Sequence, residues 1–182
     1  AFTEDKIFRI LADKDALFNA DDGVNVVATN LVLGQTQPIR GAFGISTHPE
    51  SFATFGENIY FSDAKRGTVM QLTPSNGQLF PISSLGMSNF FKDRLNTVSK
   101  VIGSHDGSKN AYVISLQGYN PSDLAIGTEA IVGEDGNLTL GYSPRSKGWT
   151  SRYSFIPESG ITLYNKYYTF KNGNAYLHNS ET

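Results

Sequence analysis

The chain contains no cysteine. Disulfide frameworks, thiolate metal sites and cysteine nucleophiles are therefore excluded, and stability must come from packing or from neighbouring chains. Long apolar runs are also missing. The best of them, residues 125–132, is interrupted by Gly127 and Glu129 and falls far short of the roughly 20 residues that a membrane-spanning helix needs. Neither sign of charge is in excess, with 15 Lys and Arg against 17 Asp and Glu scattered along the chain, so there is no basic stripe of the kind that phosphate backbones require. Membrane and nucleic acid are thus not expected partners. The sequence begins at Ala1 without the charged and then apolar stretch of a signal peptide, which leads us to expect a processed start or a piece of a longer protein.

What is present is glycine, asparagine, serine and aromatic residues in short alternating runs, and 182 residues are enough to bury a real core. Residues 57–73, ENIYFSDAKRGTVMQLT, read as a hairpin: Ile59-Tyr60-Phe61, a polar turn over 62–67, and a return strand over 68–72. A third strand over 79–82 follows Pro74-Ser75-Asn76-Gly77, where Asn-Gly suits the positive φ angles of a type I′ turn. Residues 87–95 are the best helix candidate, with Ser88 as cap and Phe90, Phe91 and Leu95 as its apolar stripe.

Strands resume at 98–102 and 111–116 around a His105-Asp106-Gly107 turn. Residues 131–132 and 138–142 flank a turn over 133–136, and strands over 150–156 and 161–170 lead to the Lys171-Asn172-Gly173 turn and a last strand over 175–178. Trp149 and Phe155 fall six residues apart, on one strand face if alternation is unbroken, and both are expected to be buried. Turns every eight to twelve residues predict an all-β fold of antiparallel hairpins, part of a β-propeller or β-sandwich, with one or two short helices. Residues 1–40 form a poorly readable N-terminal segment, where 7–18 suits a strand and turn or a short helix. Residues 41–182 form the β-rich domain. Its last strand has no later partner in the chain, so continuation beyond it, or a partner subunit, is expected to cover that edge.

Five segments in this order carry a resemblance: GAFGISTHPESFATF (41–55), YFSDAKRGTVMQL (60–72), ISSLGMSNFF (82–91), VIGSHDGSKNAYVISL (101–116) and GWTSRYSFIPESGITLYNKYYTFKNGNAYLH (148–178). Together they resemble the large virion structural proteins of tailed bacteriophages, including the tail-hub or muzzle-type proteins of crAss-like phages. The resemblance implies a virion location, a structural role, partners among other virion proteins and copies of the chain itself, and no catalytic residues. It departs from the family pattern at His105, where tyrosine is usual before Asp106, and the family pattern continues past His178.

The residues themselves agree with a role without a catalytic, cofactor-binding or metal site. A Ser-His-acid arrangement has only His48, His105 and His178 to draw on, each beside a turn or chain end. Their wide spacing makes no zinc signature. Paired carboxylates of a glycan-cleaving enzyme could come from Glu57, Asp63, Asp106, Glu129 and Glu158, but Asp63 and Asp106 fall next to glycine in polar turns, where aspartate bonds its own backbone. Residues 104–107 suggest the aspartate-box turn of sialidase-type propellers, yet the glycine comes one residue early and no tryptophan follows. Asp13, Asp15, Asp21 and Asp22 lack the spacing of a calcium loop. The aromatic residues Tyr153, Phe155, Tyr164, Tyr167, Tyr168, Phe170 and Tyr176 suit packing between sheets or subunits better than a sugar platform. The alternative function is a carbohydrate-binding or glycan-depolymerising tail module, and a cellular propeller of the interaction type ranks behind both.

Overall fold

The computed structural model describes residues 1–11, 34–118 and 136–179. Within them the chain is all-β and antiparallel, with thirteen strands, one α-helix and three single 3-10 turns. A short pair, β1 (Phe8–Ile10) and β2 (Thr36–Pro38), comes first. The first sheet follows as a meander of β3 (Ala53–Phe55), β4 (Asn58–Asp63), β5 (Thr68–Thr73) and β6 (Gln78–Pro81). After the helix α1 (Ser88–Arg94), the second sheet runs through β7 (Lys100–Asp106), β8 (Ala111–Gln117), β9 (Leu138–Ser143) and β10 (Gly148–Tyr153). The third has β11 (Ser159–Leu163), β12 (Lys166–Lys171) and β13 (Asn174–His178).

Each meander begins with an edge strand, and these edges are neighbours: β3 lies beside β7, and β7 beside β11. Small residues permit the approach. A Cβ on Gly103 of β7 would sit 1.9 Å from the Ser51 carbonyl oxygen, and one on Gly160 of β11 would sit 2.8 Å from both Ser104 Oγ and the Tyr167 hydroxyl. The sheets therefore stack face to face in chain order.

Between the first and second sheets lies the main core. Tyr60 and Val69 meet Val101, Tyr112, Ile114, Leu116, Leu140 and Tyr142, while Phe91 of α1 and Leu95, its C-cap, close one side. Full burial of such side chains contributes about 1.5–3 kcal/mol each. The opposite face of the first sheet carries Phe61, Met70 and Leu72, which Ile7 and Ile45 cover from the N-terminal part. Residues on both sides of position 40 share this second core. The contact between the second and third sheets is built of smaller and more polar groups, among them a 2.7 Å hydrogen bond between Ser104 and the Tyr167 hydroxyl.

Both hairpins expected at residues 60–72 and 169–178 are present, with Phe61 opposite Met70 and Lys171 opposite Asn174. Asn172 and Gly173 take φ of 51° and 73°, the conformation that Asn-Gly favours in a two-residue turn. Other local expectations are corrected. Asn76 is not at positive φ; only Gly77 is, and its N–H donates to the Thr73 carbonyl at 2.9 Å, which makes a four-residue loop instead of a type I′ turn. Met87 occupies the cap of α1 with no side-chain bond, and Ser88 is the first helical residue, so buried Phe91 and Leu95 hold this helix rather than a cap. His105 and Asp106 end β7 instead of forming the turn.

The single strand expected over 161–170 is a hairpin, β11 and β12, whose turn uses Tyr164 and Asn165 at φ of 48° and 60°. Trp149 and Phe155 do not share a face. Thr150 is an extra residue between the pairs Trp149–Tyr142 and Ser151–Gly141, and this bulge breaks the alternation on which that expectation rested. Trp149, half-buried, packs with Phe91 and Tyr142, whereas Phe155 packs with Tyr153, Tyr167 and His178. Of the N-terminal reading only 8–10 are strand among the described residues; the rest of 12–18, the strand over 131–132 and part of the 133–136 turn lie outside them.

Candidate functional site

Asp63 and Asp106, the two fully buried acids among the described residues, are each occupied by local structure. Asp63 closes the turn after β4. Its carboxylate accepts from Arg66 N at 3.2 Å and Arg66 Nη1 at 2.9 Å, and also from the Gly44 N–H at 3.1 Å. Asp106 closes the turn after β7 by accepting from Ser108 N, Ser108 Oγ and Lys109 N, and Asn179 Nδ2 reaches its other oxygen at 3.3 Å. Both are the last residues of strands and not turn residues as expected, yet each bonds the backbone of the turn that follows, which is the chemistry that reading assigned to them. Glu57 and Glu158 are exposed, while Glu129 and the acids Asp13, Asp15, Asp21 and Asp22 lie outside the described residues.

The three histidines do not converge with a nucleophile. His48 is buried ahead of the 3-10 turn Pro49–Ser51. His105 stacks on Phe55 with ring centroids 3.7 Å apart. His178 Nε2 and Thr169 Oγ1 are 2.6 Å apart on neighbouring strands. Burial lowers the pKa of all three; nearby carboxylates oppose it, from Glu50 at His48 and from Asp106 at the other two. Ser104 and His178 both face the gap between the second and third sheets, but the hydroxyl pairs with Tyr167 and the imidazole with Thr169. A nucleophile–base pair would need the two bonded to each other. Among the described residues no group of three His, Asp or Glu side chains is placed to hold a metal ion, and no helix is long and apolar enough to cross a membrane.

Two surface features are left over. One is the face of the third sheet turned away from the second. Cross-strand pairing puts Ile161, Tyr168 and Leu177 in one row, with Phe170 and Leu163 on the same side. Ile161, Leu163, Phe170 and Leu177 are 39–50 % exposed, although strand pairing commonly buries such residues on at least one sheet face. Sequence alternation alone could not assign this face to solvent, because the missed Tyr164-Asn165 turn hid the row.

The other feature is a cleft of about 360 Å³ between the first sheet and the outer end of the second, lined by side chains of Asn58, Gln71, Gln78, Phe80, Tyr142 and Lys147 among others. Asn58 organises it. Its Oδ1 accepts from Gln71 Nε2 at 3.2 Å and from Thr73 Oγ1 at 2.8 Å. None of these residues stood out in the sequence, since amides spaced across three strands leave no local motif. No protein-family model matches the chain, and a search of curated proteins finds no relative.

Proposed function

We propose that the chain is a structural component of a tailed-phage virion, part of a tail, hub or muzzle, that works through subunit contacts and not through catalysis. The sequence resemblance supplies the setting. The observation that carries the mechanism is the exposed row Ile161, Tyr168 and Leu177 with its neighbours Leu163 and Phe170. Large apolar residues gathered on one sheet face mark a contact surface.

The occupant we assign to that face is a further β-sheet from a second copy of the chain. The pattern inside the molecule supports this choice: the first sheet is covered by the second, the second by the third, and the far side of the first by the N-terminal residues. On this reading the meanders are successive blades of a propeller-type stack, with β3, β7 and β11 as inner strands. The two ends of the stack differ, so copies join head to tail, a contact that closes into a ring where the rotation allows. Local engagement of Asp63 and Asp106 fits a module without acid catalysis.

Hydroxyl-radical footprinting over rising protein concentration tests the assignment. Ile161, Phe170 and Leu177 should lose reactivity together as the chain associates, while Phe52, exposed elsewhere, keeps its own. Protection that leaves the third sheet unchanged would overturn it.

A further inference from the structure

The cleft between the first and second sheets has a chemistry that the assembly role does not use. One wall is the face of the first sheet that looks toward the second. Cross-strand pairing places Tyr60, Gln71 and Phe80 in one row of that face and Asn58, Thr73 and Gln78 in the next. Near the axis of the stack this wall is apolar and closed, with Tyr60 stacked on Tyr112 at 5.1 Å. Further out it changes character. Asn58, Gln71, Thr73 and Gln78 replace the apolar side chains and line the cleft together with Leu85 and with Tyr142, Pro144 and Lys147 from the second sheet.

Polar groups on an inter-sheet face are costly unless they are engaged. Here they are arranged as well as engaged. Because Asn58 Oδ1 takes both the Gln71 and the Thr73 donor, the Asn58 amide nitrogen is turned away from that pair and the Gln71 carbonyl is left as an acceptor. A fixed donor and a fixed acceptor side by side match the vicinal hydroxyls of a sugar, each of which both donates and accepts. Phe80 is 41 % exposed and adds the apolar surface on which the C–H face of a pyranose packs. Among the described residues Lys147 is the one charged member of the lining, and none of them places a carboxylate there. That charge selects an anion.

We infer that this cleft binds an acidic pyranose, a uronic-acid-type unit of a surface polysaccharide. Its ring lies on Phe80, its hydroxyls meet Asn58 and Gln71, and its carboxylate faces Lys147. The volume, about 360 Å³, is at the lower end of small-molecule sites and suits one ring with its neighbours leading out to solvent. The described lining offers amides, aromatic surface and one cation, which is the chemistry of holding a sugar, and no described pair of acids of the kind that glycoside cleavage uses. The inference is independent of self-assembly, since the cleft and the outer face of the third sheet share no residue.

Saturation-transfer NMR with glucuronate, galacturonate, glucose and galactose tests it on the whole chain. Transfer to the two uronates is expected at about 10 mM sugar, as single-ring recognition is weak. Lys147→Asn removes the charge while keeping a residue that tolerates the φ of 49° found there, and it should weaken the uronates about tenfold. Phe80→Leu, at a half-open position, should abolish transfer with the fold retained, as checked by circular dichroism. No transfer to either uronate, equal binding of uronates and neutral hexoses, or binding that survives both substitutions would overturn the assignment.

Discussion

The Tyr112 hydroxyl donates a 2.7 Å hydrogen bond to the main-chain carbonyl of Ser51, tying the middle of the second sheet to the turn that precedes β3. Both residues are fully buried. Tyr112→Phe leaves that carbonyl without its partner and should cost about 1–3 kcal/mol in urea unfolding. Gly103→Ala acts on the same carbonyl by direct overlap, 1.9 Å from the new Cβ, and backbone on both sides leaves little room to yield. It should cost about 3 kcal/mol or more.

Tyr164 is fully exposed and holds a φ of 48° in a turn whose second residue, Asn165, is also left-handed. A side chain that contributes no burial is paired with a backbone conformation that disfavours it. Tyr164→Asn should raise stability by about 0.5–1 kcal/mol, seen as a higher thermal midpoint with the secondary structure unchanged. A lower midpoint would show that the ring has a role in the folded chain.

Stability should fall on both sides of neutral pH. His48, which is buried, and His105 and His178, which are half-buried, hold lowered pKa values, so the unfolded chain takes up protons near 6.5 before the fold does. Their contribution is complete above about that pH and is lost as the pH drops toward the native values. At the alkaline end burial pushes the Tyr60 and Tyr167 hydroxyls up to about 12 and raises Tyr112 as well, so stability declines as the pH rises past 10, where unfolded tyrosine ionises. His105→Phe keeps a ring stacked on Phe55 and removes one titrating group, so denaturation midpoints measured from pH 7 to 5 should flatten.

Trp149 donates from Nε1 to the Ile82 carbonyl at 3.1 Å and packs on Phe91, whereas Phe155 belongs to the cluster around Tyr167 and His178. Each alanine substitution should destabilise, and the double-mutant cycle should be additive within about 0.5 kcal/mol because the two side chains share no partner. Coupling well above that value would mean the two clusters act as one.

The sheets were legible because alternation and turn chemistry are local. Residues 60–72 and 169–178 show both signals within a dozen positions. The reading failed where one signal was missing: Tyr164-Asn165 turns the chain without glycine, and Thr150 shifts the alternation by a single residue that composition cannot reveal. The surface features were hidden for another reason. The row Ile161, Tyr168 and Leu177 and the group Asn58, Gln71 and Phe80 exist only once strand register is known. Asp63 and Asp106 were placed inside turns and instead end β4 and β7, but their bonding to the backbone of the adjoining turn was legible, because an aspartate near a glycine turn signals its own hydrogen bonds.

Sedimentation velocity across micromolar concentrations, on the chain and on an Ile161→Lys, Leu177→Lys variant, tests the assembly account most directly. The account predicts that the unaltered chain associates with rising concentration and that the variant, with two charges on the open face of the third sheet, stays a compact monomer with the same circular dichroism. A chain that remains a compact monomer throughout, or a variant that associates as strongly as the original, would contradict it.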